Sequence, residues 1–166
     1  MSKHKQPPEL KRDFTIGVIS DTHGLLRPEA VKALAGSDLI LHAGDIGSPD
    51  IIPALRRVAP VVAVRGNVDT SAEMMRDFLP VNVAEVGDLH IYLLHDYKQL
   101  DLNPHESGFA AVVFGHSHAP IFWTQNDVLF LNPGSAGPRR FALPVSVGRI
   151  VVRDGELLPE LIDLKL

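Results

Sequence analysis

Metal-competent side chains recur just behind apolar runs: Asp21-Thr22-His23, Gly44-Asp45, Gly66-Asn67, His95 and Gly115-His116-Ser117-His118. Each has a bland explanation when taken alone. An aspartate after a strand commonly caps a helix or closes a turn, and a lone histidine is commonly a satisfied core or surface group. Five such positions, all at the ends of apolar runs, are hard to assign to turn chemistry. Asp21 and His23 are two apart, so extended backbone would turn both side chains to one face and let them grip one ion; His116 and His118 repeat the spacing. Asp45 has two oxygens and can bridge two cations, while Asn67 adds a neutral oxygen. Mixed imidazole and carboxylate ligation suits Mn, Fe, Zn, Co or Ni better than the all-oxygen sites of Ca or Mg. The chain has no cysteine, which excludes a thiolate zinc site, a disulfide scaffold and a cysteine nucleophile together.

These residues need elements to hold them. Strands are predicted over Phe14–Ile19, Leu39–Leu41, Val61–Val64, Val83–Val86, His90–Leu94 and Ala111–Phe114, with helices over Pro28–Ala35 and Pro49–Val58. Both helices carry proline in the first turn, where its missing N–H costs nothing. The last third reads as meanders over Ile121–Thr124, Val128–Leu131, Val145–Arg153 and Glu156–Asp163, with Asn126-Asp127 and Asp154-Gly155 as hairpin turns. The expected fold is α/β, a two-sheet β-sandwich flanked by helices. In sheets with parallel strands, ligands gather beyond the carboxyl ends, so the polar residues should converge on one rim.

The 166 residues are 45% hydrophobic and 22% charged, the composition of one globular domain over 14–166 preceded by a flexible arm over 1–13. Sixteen basic against twenty acidic residues leave a net charge of −4, which argues against a general nucleic-acid or anionic-membrane surface. No stretch approaches the ~20 apolar residues of a membrane span, and the first thirteen residues have no apolar signal core, so the cytoplasm is the expected compartment.

The ordered set Asp-x-His, Gly-Asp, Gly-Asn-x-Asp, His and Gly-His-x-His resembles the calcineurin-like metallophosphoesterases. The Asn132-Pro133-Gly134-Ser135 run is similar to that of their small bacterial and archaeal phosphodiesterase branch, to which a small scaffold subunit of the retromer is also similar. The resemblance spans Phe14 to about Val152. It implies two divalent transition-metal ions, manganese first among them, with Asp21, His23, Asp45 and His118 on one and Asp45, Asn67, His95 and His116 on the other. A hydroxide shared by the ions would attack phosphorus in line, with Asp45, Asn67 and His116 as the catalytic residues. The implied substrate is a small phosphate ester, a diester rather than a monoester.

The sequence departs from the family pattern twice. Val68 stands where many larger members carry a histidine, and it cannot donate a proton. Asp96 follows His95 where glycine is usual; it is open between orienting a ligand, meeting a cationic part of a substrate and capping the next turn. Asp69 is open between supporting a metal-ligating histidine and accepting turn N–H groups. Arg65, Arg139 and Arg140 could meet phosphate, with surface roles favoured for each, and Asn132 and Ser135 shape a tight loop. His4, His42, His90 and His105 are assigned to structure, with His42 close enough to Asp45 to support it. Two other functions stay open: a non-catalytic scaffold, which would be free to lose ligands this chain keeps, and a metal-dependent nuclease, which the net charge disfavours. The oligomeric state is open, a homo-oligomer included.

Overall fold

A computed structural model describes residues 13–166; apart from Asp13, the expected arm lies outside the described residues, as does His4. Asp13 itself is ion-paired, its Oδ2 standing 2.6 Å from Arg153 Nη2.

Among the described residues ten strands and three α-helices follow in the order β1 (Phe14–Ile19), α1 (Pro28–Leu34), β2 (Leu39–His42), α2 (Ile51–Arg56), β3 (Val61–Ala63), α3 (Ala72–Asp77), β4 (Val81–Val86) and β5 (Leu89–Leu94). After a 3-10 turn over Tyr97–Gln99 come β6 (Ala111–Val113), β7 (Ile121–Gln125), β8 (Val128–Asn132), β9 (Ser146–Arg153) and β10 (Glu156–Asp163). They form two five-stranded sheets, ordered β10-β9-β1-β2-β3 and β4-β5-β6-β8-β7. Both are mixed: β1, β2 and β3 run parallel in one, and β5, β6 and β8 in the other. This is the expected two-sheet α/β sandwich.

Alternation along the strands builds the core. Ile16, Val18 and Leu41 of the first sheet meet Ile91, Leu93, Val113 and Leu131 of the second in one buried cluster. The opposite face of the first sheet, with Ile19 and Ile40, takes Leu34 of α1, Ile52 and Leu55 of α2 and Met74 of α3. Among the described residues no α-helix joins the outer cluster of the second sheet, where Leu100, Leu102 and Phe109 of the 97–110 segment pack on Tyr92, Val112 and Phe130. The described helices therefore flank the first sheet.

Three local expectations are corrected. α2 starts at Ile51, so its first-turn proline is Pro53 at the third position, where the N–H still lacks an intrahelical acceptor. α3 has no counterpart in the sequence reading, because it buries only Met74 and leaves little periodicity to find; Ser71 caps it by accepting Met74 N–H at 3.1 Å. The last third is two hairpins in different sheets rather than continuous meanders: β7 pairs with β8, β9 pairs with β10, and the segment between crosses from one sheet to the other. Asn126 and Asp127 adopt the predicted turn, with φ of 49° and 63°. Among the described residues no helix is long and apolar enough to cross a membrane.

Candidate metal centre

The residues singled out above follow the carboxyl ends of parallel strands, but not as extended chain. Asp21, His23, Asp45, His116 and His118 have φ of 55°, 46°, 55°, 72° and 63°, all in the left-handed region. The expectation that Asp21 and His23 share a strand face is thereby corrected: β1 ends at Ile19, and the side chains converge because the backbone coils. Such conformations cost of order 1–3 kcal/mol each and persist where surrounding bonds overdetermine them. Here the loops after β1 and β2 are laced together, with Asp21 N–H on Gly44 O at 3.0 Å, His23 N–H on Asp45 O at 2.9 Å and Gly24 N–H on Ile46 O at 2.8 Å. Two glycines permit the approach: a Cβ on Gly66 would lie 2.2 Å from Asp45 Oδ1, and one on Gly115 would lie 2.1 Å from Ser20 Oγ.

Two carboxylate oxygens occupy the middle of the cluster. Asp21 Oδ1 stands 3.7 Å from His23 Nε2, 3.8 Å from His95 Nε2 and 3.3 Å from His118 Nε2. Asp45 Oδ2 stands 3.6 Å from His23 Nε2 and 3.2 Å from His95 Nε2. Two groups of potential ligand atoms result, Asp21 with His23 and His118, and Asp21 with Asp45 and His95, so Asp21 belongs to both. His116 stands at the mouth, its side chain 46% exposed and its ring centroid 5.2 Å from that of His95. Asn67 lines a cavity beside His95.

The donor set fits divalent cations. His95 Nδ1 is 2.7 Å from Ala43 O, and a carbonyl only accepts, so Nδ1 carries the proton and the lone pair of the neutral ring is on Nε2. That Nε2 and Asp21 Oδ1 are both buried without a hydrogen-bond partner, although they lie close together. Buried polar atoms rarely go unpaired, and an ion between them would satisfy both. Burial opposes ionisation of Asp21, but His118, His23, His95 and the Ser20 hydroxyl outweigh it and hold the carboxyl well below the usual range. Burial likewise opposes ionisation of Asp45, which His95 and the Val68 N–H outweigh. His23 is pushed up, chiefly by Asp21; His95 is pushed up by Asp45 and Asp21 against the effect of burial. The centre is a concentration of negative charge walled by imidazole nitrogens.

Supporting residues surround it. Asp69 accepts the N–H groups of Ile46, Gly47 and Gly66 at 3.0, 2.9 and 2.8 Å, which settles it as an anchor of the loops bearing Asp45 and Asn67. Asn132 donates to Gly115 O and Ser117 Oγ, both at 3.0 Å, and Ser135 Oγ donates to Asp21 O at 3.1 Å, so this run braces ligand loops from behind. Asp96 caps the 3-10 turn by accepting Lys98 N–H at 3.0 Å. Arg65 donates to the carbonyls of Phe78 and Met75, and Arg139 to that of Leu166; the charge of Arg140 reaches His23. Val68 donates its N–H to Asp45 Oδ1 at 3.0 Å. The sequence reading missed Ser20, whose hydroxyl donates to Asp21 Oδ2 at 2.7 Å. A serine at a strand end is too common to stand out.

The family profile described as calcineurin-like phosphoesterase superfamily domain matches residues 14–155. A probable metallophosphoesterase of Methanothermobacter thermautotrophicus is 42% identical over 154 residues, covering 86% of this chain and 88% of its own. A phosphodiesterase of Methanocaldococcus jannaschii is 29% identical over 137 residues, covering 72% and 82%. The solved structure of an archaeal phosphodiesterase superposes with a TM-score of 0.73 over 90% of this chain and all of its own, at 22% identity, a likeness of fold alone.

Proposed function

The chain belongs to the calcineurin-like phosphoesterase superfamily and is on that footing a metal-dependent phosphoesterase; we propose that it hydrolyses phosphodiesters at a dinuclear centre held by Asp21, His23, Asp45, Asn67, His95, His116 and His118. The reading is carried by the two His–carboxylate groups that share Asp21, with Asp21 Oδ1 and His95 Nε2 buried and unpartnered between them. Manganese is the proposed ion, with Zn, Fe, Co and Ni as alternatives, and the cytoplasm the proposed compartment. The diester preference rests on the relative named a phosphodiesterase.

Bound divalent ions supply Lewis-acid chemistry, acidifying water and offsetting phosphoryl charge. The chain's own residues prepare for this. Asp21 and Asp45 stay ionised, so the centre attracts cations without uptake or loss of a proton by its carboxylates. Ala43 O holds His95 in the tautomer that aims a lone pair inward. Asp45 faces both His23 and His95 and links the halves, while Asn67 contributes oxygen without further charge. His116 is exposed at the mouth, where an incoming phosphate would meet it. No ionisable side chain at position 68 is available to protonate a departing alcohol.

Chelated protein reloaded with Mn²⁺ or Mg²⁺ tests the reading, with elemental analysis and assays on bis(4-nitrophenyl) phosphate and 4-nitrophenyl phosphate. Two ions per chain, faster diester than monoester cleavage and poorer rescue by Mg²⁺ are expected, because the four histidines offer nitrogen. One ion per chain with full activity would defeat the dinuclear centre, and a monoester preference would defeat the diester assignment.

A further inference from the structure

A cavity of about 230 Å³ opens beside the metal centre. Asn67 and His95 of the centre line it together with the polar side chains of Asp96, Gln99 and Arg65 and the apolar ones of Val81 and Leu94. Its volume is less than the ~300–1,000 Å³ of sites for drug-sized ligands. It suits a small fragment attached to a phosphate, not a whole nucleotide.

The lining selects what that fragment is. Asp96 Oδ1 is committed to Lys98 N–H, while Oδ2 stands 3.9 Å from His116 Nε2, beyond hydrogen-bond distance. Arg65 is held in place by Nη1 on Phe78 O at 2.7 Å and on Met75 O at 3.3 Å, and its guanidinium has further N–H groups, at Nε and Nη2, able to donate. The Gln99 amide both donates and accepts. A cationic fragment would meet Arg65, and an anionic one Asp96. Hydroxyl groups donate and accept, carry no charge and match all three side chains, while their carbon skeleton covers Val81 and Leu94.

We propose that this cavity receives a neutral polyhydroxylated arm, glyceryl or ribosyl, of a phosphate ester whose phosphate lies at Asn67 and His95. The proposal rests on the phosphodiesterase reading for the position of the phosphate. Gln99 and Asp96 are specificity residues in it, acting on the arm and not on the reacting atoms.

Isothermal titration of the full Mn²⁺-loaded chain tests it with glycerol 3-phosphate, ribose 5-phosphate, n-propyl phosphate and inorganic phosphate as probes. One of the two polyol esters should bind about tenfold more tightly than propyl phosphate, the effect of one or two net hydrogen bonds, and the tighter of the two identifies the arm. In Gln99→Leu, and in Val81→Phe, which adds bulk to the cavity lining, the ratio should fall to about threefold or less with inorganic phosphate affinity held within about twofold. A parent ratio near one, or a ratio unchanged by both substitutions, overturns the proposal. Selective binding without diester hydrolysis would defeat the diesterase reading and support the cavity, whereas hydrolysis with a ratio near one would defeat the cavity alone.

Discussion

His42 Nε2 lies 3.0 Å from Thr22 Oγ1, fully buried beneath the two loops that carry Asp21 and Asp45. Proton bookkeeping along this chain leaves one arrangement. Gly44 N–H donates to His42 Nδ1 at 3.1 Å, so Nδ1 is the acceptor; Nε2 then carries the proton and donates to Thr22, whose hydroxyl donates to Ile46 O at 2.8 Å. The ring is neutral, and it ties the residue between Asp21 and His23 to the residue before Asp45.

Burial pushes the His42 pKa down to about 4, with Asp21 and Asp69 opposing. The unfolded chain therefore binds a proton near pH 6.5 that the folded chain refuses until about pH 4. The stability owed to the neutral ring is fully present above pH 6.5 and drains away as pH falls through that window, by about 3 kcal/mol in all. His23 and His95, whose folded values are raised, act with the opposite sign: their contribution is present below the unfolded value and lost as pH rises through the folded one. Urea unfolding of chelated protein from pH 7 to 4 should show a shallower pH slope in His42→Asn than in the parent, by close to one proton. Equal slopes would mean that His42 is protonated in the folded chain.

Asp69 accepts three backbone N–H groups from two ligand loops. Asp69→Ala strands all three donors and should lower unfolding free energy by about 3 kcal/mol or more, since bonds to a charged acceptor are worth ~1.5–3 kcal/mol each. Asp69→Asn, which keeps one acceptor oxygen, should lose less. Denaturation midpoints give the ranking, and Mn²⁺ affinity should weaken in the same order.

Asp45→Asn retains an oxygen for the Val68 N–H and removes the charge facing His23 and His95. It should lower kcat/KM on bis(4-nitrophenyl) phosphate by about a thousandfold or more, several kcal/mol of transition-state stabilisation, and more than His23→Asn or His118→Asn. Metal analysis should show fewer than two ions per chain in Asp45→Asn. Full stoichiometry with mild kinetic loss would move the linking role to Asp21.

Val68 is 47% exposed and offers no proton to a leaving alcohol. A positioned acid is worth ~10²–10⁴-fold, so rates on aryl diesters should fall steeply as the leaving-group pKa rises. Val68→His should flatten that dependence while metal content stays unchanged. A flat dependence in the parent would show that another group already serves as the acid, and Asp96, 3.9 Å from His116, is the first to substitute.

The sandwich and the candidate residues at its rim were legible in the sequence because both are written in local terms. Strands such as Phe14–Ile19 and hairpins at Asn126-Asp127 follow from side-chain type and spacing over a few residues, and the ligand motifs gain their specificity from being five in fixed order. What the sequence could not settle was anything that depends on which loops touch. Ser20 drew no notice, His42 read as a structural histidine that could support Asp45, and Asp69 as either of two things, until the loops after β1, β2 and β3 were brought within hydrogen-bond distance. The geometry of Asp21 and His23 was read from strand period, yet their left-handed backbone is imposed by ladder bonds from Gly44, Asp45 and Ile46, more than twenty positions away. α3 left little trace because it buries one side chain. Local sequence determines what each segment prefers. The long-range bonds, made only after both sheets close over their common core, decide where a strained loop is held and which oxygen faces which nitrogen.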